Sequence, residues 1–213
     1  MKSGLKKKAI PILATTVLAA TALTTQSFFN EGSDQKAEAR GFSKEESKKN
    51  KPSWLAGDHH INSEWSVSWD NSTNPPTPIR GGDAIYPTLK NAENAKKYGL
   101  DWMVTTDHGG PNHSKVNLEQ AYPELLKSRQ AVPEVLQFYG MEFDTPAADH
   151  SSIIIPKSEK ESQTLYEIES KFNKRDPHPI DGSRDKEEVM IEALNYMKEM
   201  DELPIHIAHH PSR

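Results

Sequence analysis

The sequence predicts an α/β fold in which a parallel sheet or barrel carries amphipathic helices on its outside. Two observations predict it. From Trp54 onward, short apolar runs of strand length alternate with segments of helical period. Six of the nine histidines, His59, His60, His108, His150, His209 and His210, gather at the ends of those strand-like runs, where the loops of such folds open onto one face.

Before that region come two segments of different character. Residues 1–39 read as an export signal: Lys6, Lys7 and Lys8 precede an apolar run too short for an ordinary membrane span. The small-x-small pattern of a cleavage site occurs at Ala20–Ala22 and again at Ala37–Ala39, and the second is favoured. An uncleaved N-terminal anchor is the alternative, and would be the chain's only membrane attachment. Either way the expected location is secreted or extracytoplasmic. Residues 40–53 complete a stretch of Ser, Lys, Glu and Gly that begins near Glu31, too poor in core formers to offset its ordering entropy, and are expected to be a disordered linker. The domain is expected over residues 54–213.

Within it the first strand is expected over Trp54–Ile61, followed by the loop NPPTPIRGG. A helix over Tyr86–Tyr98 places Leu89, Ala92 and Ala95 on one face and stops at Gly99. Strands are expected at Trp102–Thr106, Val135–Phe143, His150–Ile155 and Ile205–Ala208. Helices are expected over Asn117–Ala131, interrupted by Pro123, and over Glu159–Phe172 and Lys186–Met200.

Composition narrows the chemistry. The net charge is −5; the first 39 residues hold five Lys and three acidic groups, a net of +2, which leaves −7 for the rest. That balance gives no electrostatic case for nucleic acid. With no cysteine, disulfides, thiolate zinc sites and cysteine nucleophiles are excluded, and any metal must be held by imidazole and carboxylate.

Four motifs offer such groups. In GDHHINS, strand alternation puts His60 and Asn62 on one face, able to grip one ion, and turns His59 away; a surface His pair is the plainer reading. In TTDHGG, Asp107 and His108 follow an apolar strand, and Gly109 and Gly110 let the chain turn beneath them. In GMEFDTPAADHSSIII, Glu142 lies near one strand end and His150 at the start of the next, a carboxylate and an imidazole of the kind a two-metal hydrolase uses. Asp144 and Asp149 are equally eligible by composition. In PIHIAHHPSR, His210 precedes a proline, and the guanidinium of Arg213 is suited to a phosphoryl oxygen. His206 reads as a packed neutral residue, and His113 and His178 as solvent-exposed loop residues.

Taken in order, these motifs resemble the PHP (polymerase and histidinol phosphatase) family of phosphoesterases. His60 matches the first His of its His-x-His, Asp107 and His108 its Asp-His, Glu142 and His150 its Glu and following His, and His210 its His-Pro. The resemblance spans about Trp54 to Arg213. It implies a distorted (β/α)7 TIM-like barrel holding two or three divalent ions, zinc, manganese or iron, and hydrolysis of a small phosphorylated substrate by a metal-bound hydroxide. It further implies that Glu142 bridges two ions, that His60 helps hold one and His150 with His210 the other, and that His108 serves a third ion or the substrate. Asp107, His108 and Arg213 become the catalytic candidates; His60, Asn62, His108, Glu142, His150 and His210 become the metal-site candidates. Two departures stand out. Asn62 replaces the second His of the first motif, so weaker occupancy of that ion is expected. The closing Asp-x-His has no counterpart, so the expectation is a truncated copy of a longer enzyme with an incomplete barrel. The alternatives are a metal-dependent amidohydrolase and an inactive metal-binding protein.

Overall fold

The computed structural model describes residues 54–209; the expected export signal, the linker before Trp54, His210 and Arg213 lie outside the described residues. The described chain is a mixed α/β unit built on a curled five-stranded sheet. Strands β1 (Gly57–Ile61), β4 (Trp102–Asp107), β5 (Leu136–Asp144), β6 (His150–Ile155) and β7 (Ile205–Ala208) lie side by side in that order. Between β1 and β4 the chain forms a small hairpin of β2 (Ser68–Asp70) and β3 (Thr77–Ile79) and then helix α1 (Thr88–Tyr98).

The sheet is not wholly parallel. β1, β4 and β5 run parallel, but β6 is antiparallel to both β5 and β7. Connection length explains the reversal. Only residues 145–149 separate β5 from β6, whereas a parallel return needs a crossover of a dozen residues or more. The expected barrel closure is also not seen among the described residues, where β1 and β7 are the sheet's two edges.

The helices follow the expected positions closely. On α1, Thr88, Ala92 and Ala95 are buried, and Gly99 ends the helix at φ 81°, a conformation that suits a residue without a Cβ. Leu89, expected on the buried face, is exposed. Helical structure then runs without a break through α2 (His113–Val116), a π-helical turn at Asn117–Ala121 and α3 (Tyr122–Ala131). Pro123 therefore does not split the helix; the wider turn before it accommodates the missing N–H and the bulk of the ring. Helices α4 (Glu161–Phe172) and α5 (Glu187–Lys198) lie between β6 and β7 in sequence.

The main core forms where Tyr139, Met141 and Phe143 of β5 and Ile153 and Ile155 of β6 pack with Leu125, Leu165, Ile168, Phe172, Ala193 and Met197 of the helices. A smaller cluster packs Ala92 and Ala95 of α1 with Met103, Val132 and Val135. Because side chains alternate along a strand, the same strands that feed the core present a second set of residues to the opposite, inner face of the curl. Thr106, Gly140, Glu142, Asp144, His150 and Ser152 belong to that set, matched across the ladder as Thr106 with Gly140, Glu142 with Ser152 and Asp144 with His150.

Candidate metal centre

Three ligand groups converge on this inner face. One donor atom each from His60, Glu142 and His209 lies within 4.8 Å of the others. Two donors each about 2.1 Å from one ion stand at most about 4.2 Å apart, so small rotamer adjustments bring all three onto a shared cation. His60 comes from the end of β1, Glu142 from β5, and His209 from the residue after β7. The His60 and His209 rings are 4.3 Å apart, centroid to centroid, although their strands are the two edges of the sheet.

Hydroxyls from neighbouring strands hold both imidazoles. Thr106 Oγ1 is 3.0 Å from His60 Nδ1, which leaves Nε2 as the nitrogen toward Glu142 Oε2, at 3.5 Å. Ser152, fully buried, holds His209 Nε2 at 2.7 Å. Such outer partners fix ring orientation and are typical of imidazoles that bind metals.

Around the triad lie further polar groups. His150 Nδ1 is 2.8 Å from Glu142 Oε1, and Asn62 Nδ2 donates to Glu142 Oε2 at 3.2 Å. His108 Nε2 sits between Asp83 Oδ2 at 2.9 Å and Glu142 Oε2 at 3.8 Å. Asp83 itself comes from the loop after β3, where its backbone N–H is bonded to Ser66 O. Gly82 makes the close approach of that loop possible: a Cβ there would stand 2.3 Å from the Ser68 backbone nitrogen.

The protonation states suit a cation ligand set. Burial pushes the Glu142 carboxyl up, but His150, His108, Asn62 and His60 around it prevail and hold it down at about 2. Burial lowers His60 below its usual value, favouring the neutral ring that a metal requires. The Asp144 and Glu142 carboxylates beside His150 raise it to about 10, so without a metal that ring is charged. An anionic Glu142 carboxylate beside a neutral His60 ring is a donor pair that could hold a metal ion.

The structure thus brings His60, Asn62, His108, Glu142 and His150 into one cluster. Asp107 is not part of it. As the partner of Met141 in the β4–β5 ladder it belongs to the opposite face, where it is 1% exposed and its two oxygens accept from Ser63 N, Ser63 Oγ and Ser66 Oγ. His113 is not solvent-exposed as expected. It is buried, with Nδ1 2.9 Å from Glu169 Oε1 and Nε2 3.0 Å from Trp65 O. Its polar spacing in the sequence gave no hint of a carboxylate partner 56 residues away. His178 is exposed, and half-buried His206 bonds Ser151 Oγ on the helix side of the sheet. His59, expected to turn away, has its ring 5.9 Å from that of His209. Sequence reasoning passed over His209 in favour of His210, and it passed over Asp83. The doubled His at the end of the last strand was the available signal for the first; nothing local marked the second.

No protein-family model, curated protein or solved structure matches the chain.

Proposed function

We propose that this chain is a divalent-metal-dependent hydrolase that cleaves phosphate esters of a small substrate. The observation that carries the proposal is the convergence of His60, Glu142 and His209. These residues come from three strands far apart in sequence, and the fold has no evident need to bring them together. The order of the motifs at His60, Asp107-His108, Glu142 and His150 supports phosphate esters as the substrate class.

In this reading Glu142, His60 and His209 hold the cation, with Thr106 and Ser152 fixing the two rings. A divalent ion at that position supplies Lewis-acid activation of water and neutralises phosphoryl charge. That neutralisation matters in a chain whose own net charge is −5 and repels anions. His108 is partly exposed, and Asp83 orients its Nε2 beside the cluster, a position from which it can pass a proton to a leaving group. The basic start and apolar run of residues 1–39 support action outside the cytoplasm.

The test combines binding and turnover. Equilibrium dialysis of the folded, full-length chain against zinc and manganese should show bound metal. The loaded protein should release nitrophenol from p-nitrophenyl phosphate and lose that activity on chelation. Cleavage of p-nitroanilide amides in place of the ester would move the assignment to an amidohydrolase, and a folded chain that binds no metal would refute the reading altogether.

A further inference from the structure

Three aspartates on the described strands and loops are deeply buried, and two have clear structural work. Asp107 pegs Ser63 and Ser66, and Asp176 accepts from Ser114 N at 2.7 Å and Ser114 Oγ at 3.0 Å. Asp144, 1% exposed at the end of β5, has no such duty: neither carboxylate oxygen accepts from a backbone group or a hydroxyl. Its side-chain neighbours are His150 Nε2 and Arg175 Nη1, each 3.3 Å from Oδ1. A buried carboxylate that serves no backbone group is costly to keep, which points to the ring beside it as its purpose.

His150 lies between two acids. Its Nδ1 is 2.8 Å from Glu142 Oε1 and its Nε2 is 3.3 Å from Asp144 Oδ1, while Asp149 Oδ1 at 4.0 Å is too far for a hydrogen bond. A neutral imidazole carries one N–H, so it can donate to only one of the two. The ladder places Asp144 directly across from His150, and the short 145–149 connection fixes that pairing.

We propose that Asp144 is a positioning residue that takes the Nε2–H of His150 and thereby presents Nδ1, beside Glu142, as a ligand to a divalent cation. The inference rests on the reading that the cluster binds such an ion. His150 is already a candidate ligand by the resemblance; what the inference adds is the residue that orients its ring and the nitrogen it presents beside Glu142. Arg175, more than half exposed, balances the charge of Asp144 from the solvent side and has no part in presenting the ring.

The experiment uses the full chain and zinc alone. In the zinc-loaded wild type, long-range 1H–15N spectra should place the metal on Nδ1 of His150 and the proton on Nε2. Calorimetric titration should show Asp144→Asn binding zinc about 10- to 100-fold more weakly, as the loss of an outer-shell partner does, while Arg175→Gln binds like the wild type. Zinc on Nε2, wild-type affinity in Asp144→Asn, or equal losses in the two variants would overturn the inference; the last would make Asp144 only the ion-pair partner of Arg175. Should Asp144→Asn fail to fold, the wild-type spectrum decides alone. A wild type that binds no zinc is a different result, since it removes the hydrolase reading on which the inference stands.

Discussion

The buried His113–Glu169 pair makes the stability of the domain depend on pH in a way that one substitution removes. The two nearest partners of His113 can only accept, the Glu169 carboxylate 2.9 Å from Nδ1 and the Trp65 carbonyl 3.0 Å from Nε2, while the Asn117 amide, 3.3 Å from Nδ1, makes its shorter bond of 2.8 Å to Glu169; the ring therefore uses both of its N–H groups and is charged. Burial alone would lower the pKa, but Glu169 outweighs burial and raises it from 6.5 to about 9. A folded-state value above the unfolded one means that the stabilisation is complete below pH 6.5 and disappears as pH rises through about 9. The gap corresponds to about 3 kcal/mol. In Glu169→Gln the strongest opposition to burial is gone and only the Trp65 carbonyl and Asp107 remain to offset it, so the His113 pKa falls and the loss of stability through pH 9 disappears. His150, raised to about 10, titrates over an overlapping range in both proteins. The informative quantity is therefore the difference in unfolding free energy between wild type and variant, measured by urea denaturation of metal-free protein. That difference should shrink by about 3 kcal/mol between pH 6 and pH 9.5. A difference that does not change with pH would refute the assignment of a charged His113.

Three further outcomes follow from the packing. Gly140→Ala should destabilise the domain by about 1–3 kcal/mol in urea denaturation, because its Cβ would stand 2.5 Å from the Ile153 carbonyl oxygen in the middle of the β5–β6 ladder. Asp107→Ala leaves two Ser63 donors and one Ser66 donor unpaired in the interior; it should cost about 3 kcal/mol or more, while the folded fraction keeps its zinc stoichiometry. His209→Ala should weaken zinc binding by at least the roughly 10- to 100-fold that losing an outer-shell partner costs, whereas His206→Ala, on the other face of the sheet, should leave calorimetric affinity unchanged.

Much of the fold could be read from the chain because its signals are local. The apolar runs at His150–Ile155 and Ile205–Ala208 coincide with β6 and β7, and Gly99 stops α1 where its backbone freedom allows. What escaped depended on partners distant in sequence. The β2–β3 hairpin lies in a proline-rich stretch where Pro78 pairs with Trp69, a position open to proline only in a short edge ladder. The direction of β6 followed from loop length and not from its own residues. At the site, His60, Glu142 and His150 were marked by their place at strand ends. The choice between adjacent residues was harder: Asp107 has the right chemistry and the wrong face, and Asp83 reaches the cluster only through a glycine-dependent loop contact.

The curl of the sheet has a bearing on how the cluster could be tuned. Glu142, Asp144 and His150 sit on one tight hairpin and move as a single piece. His60 and His209 ride on strands with three others between them, and their rings meet only because the sheet bends round on itself. Curvature is therefore the coordinate that opens or tightens the gap between the two halves. Substitutions among the helices that flatten or deepen the bend would change metal affinity without touching a ligand, and whatever braces the two outer strands governs the site as directly as the groups that line it.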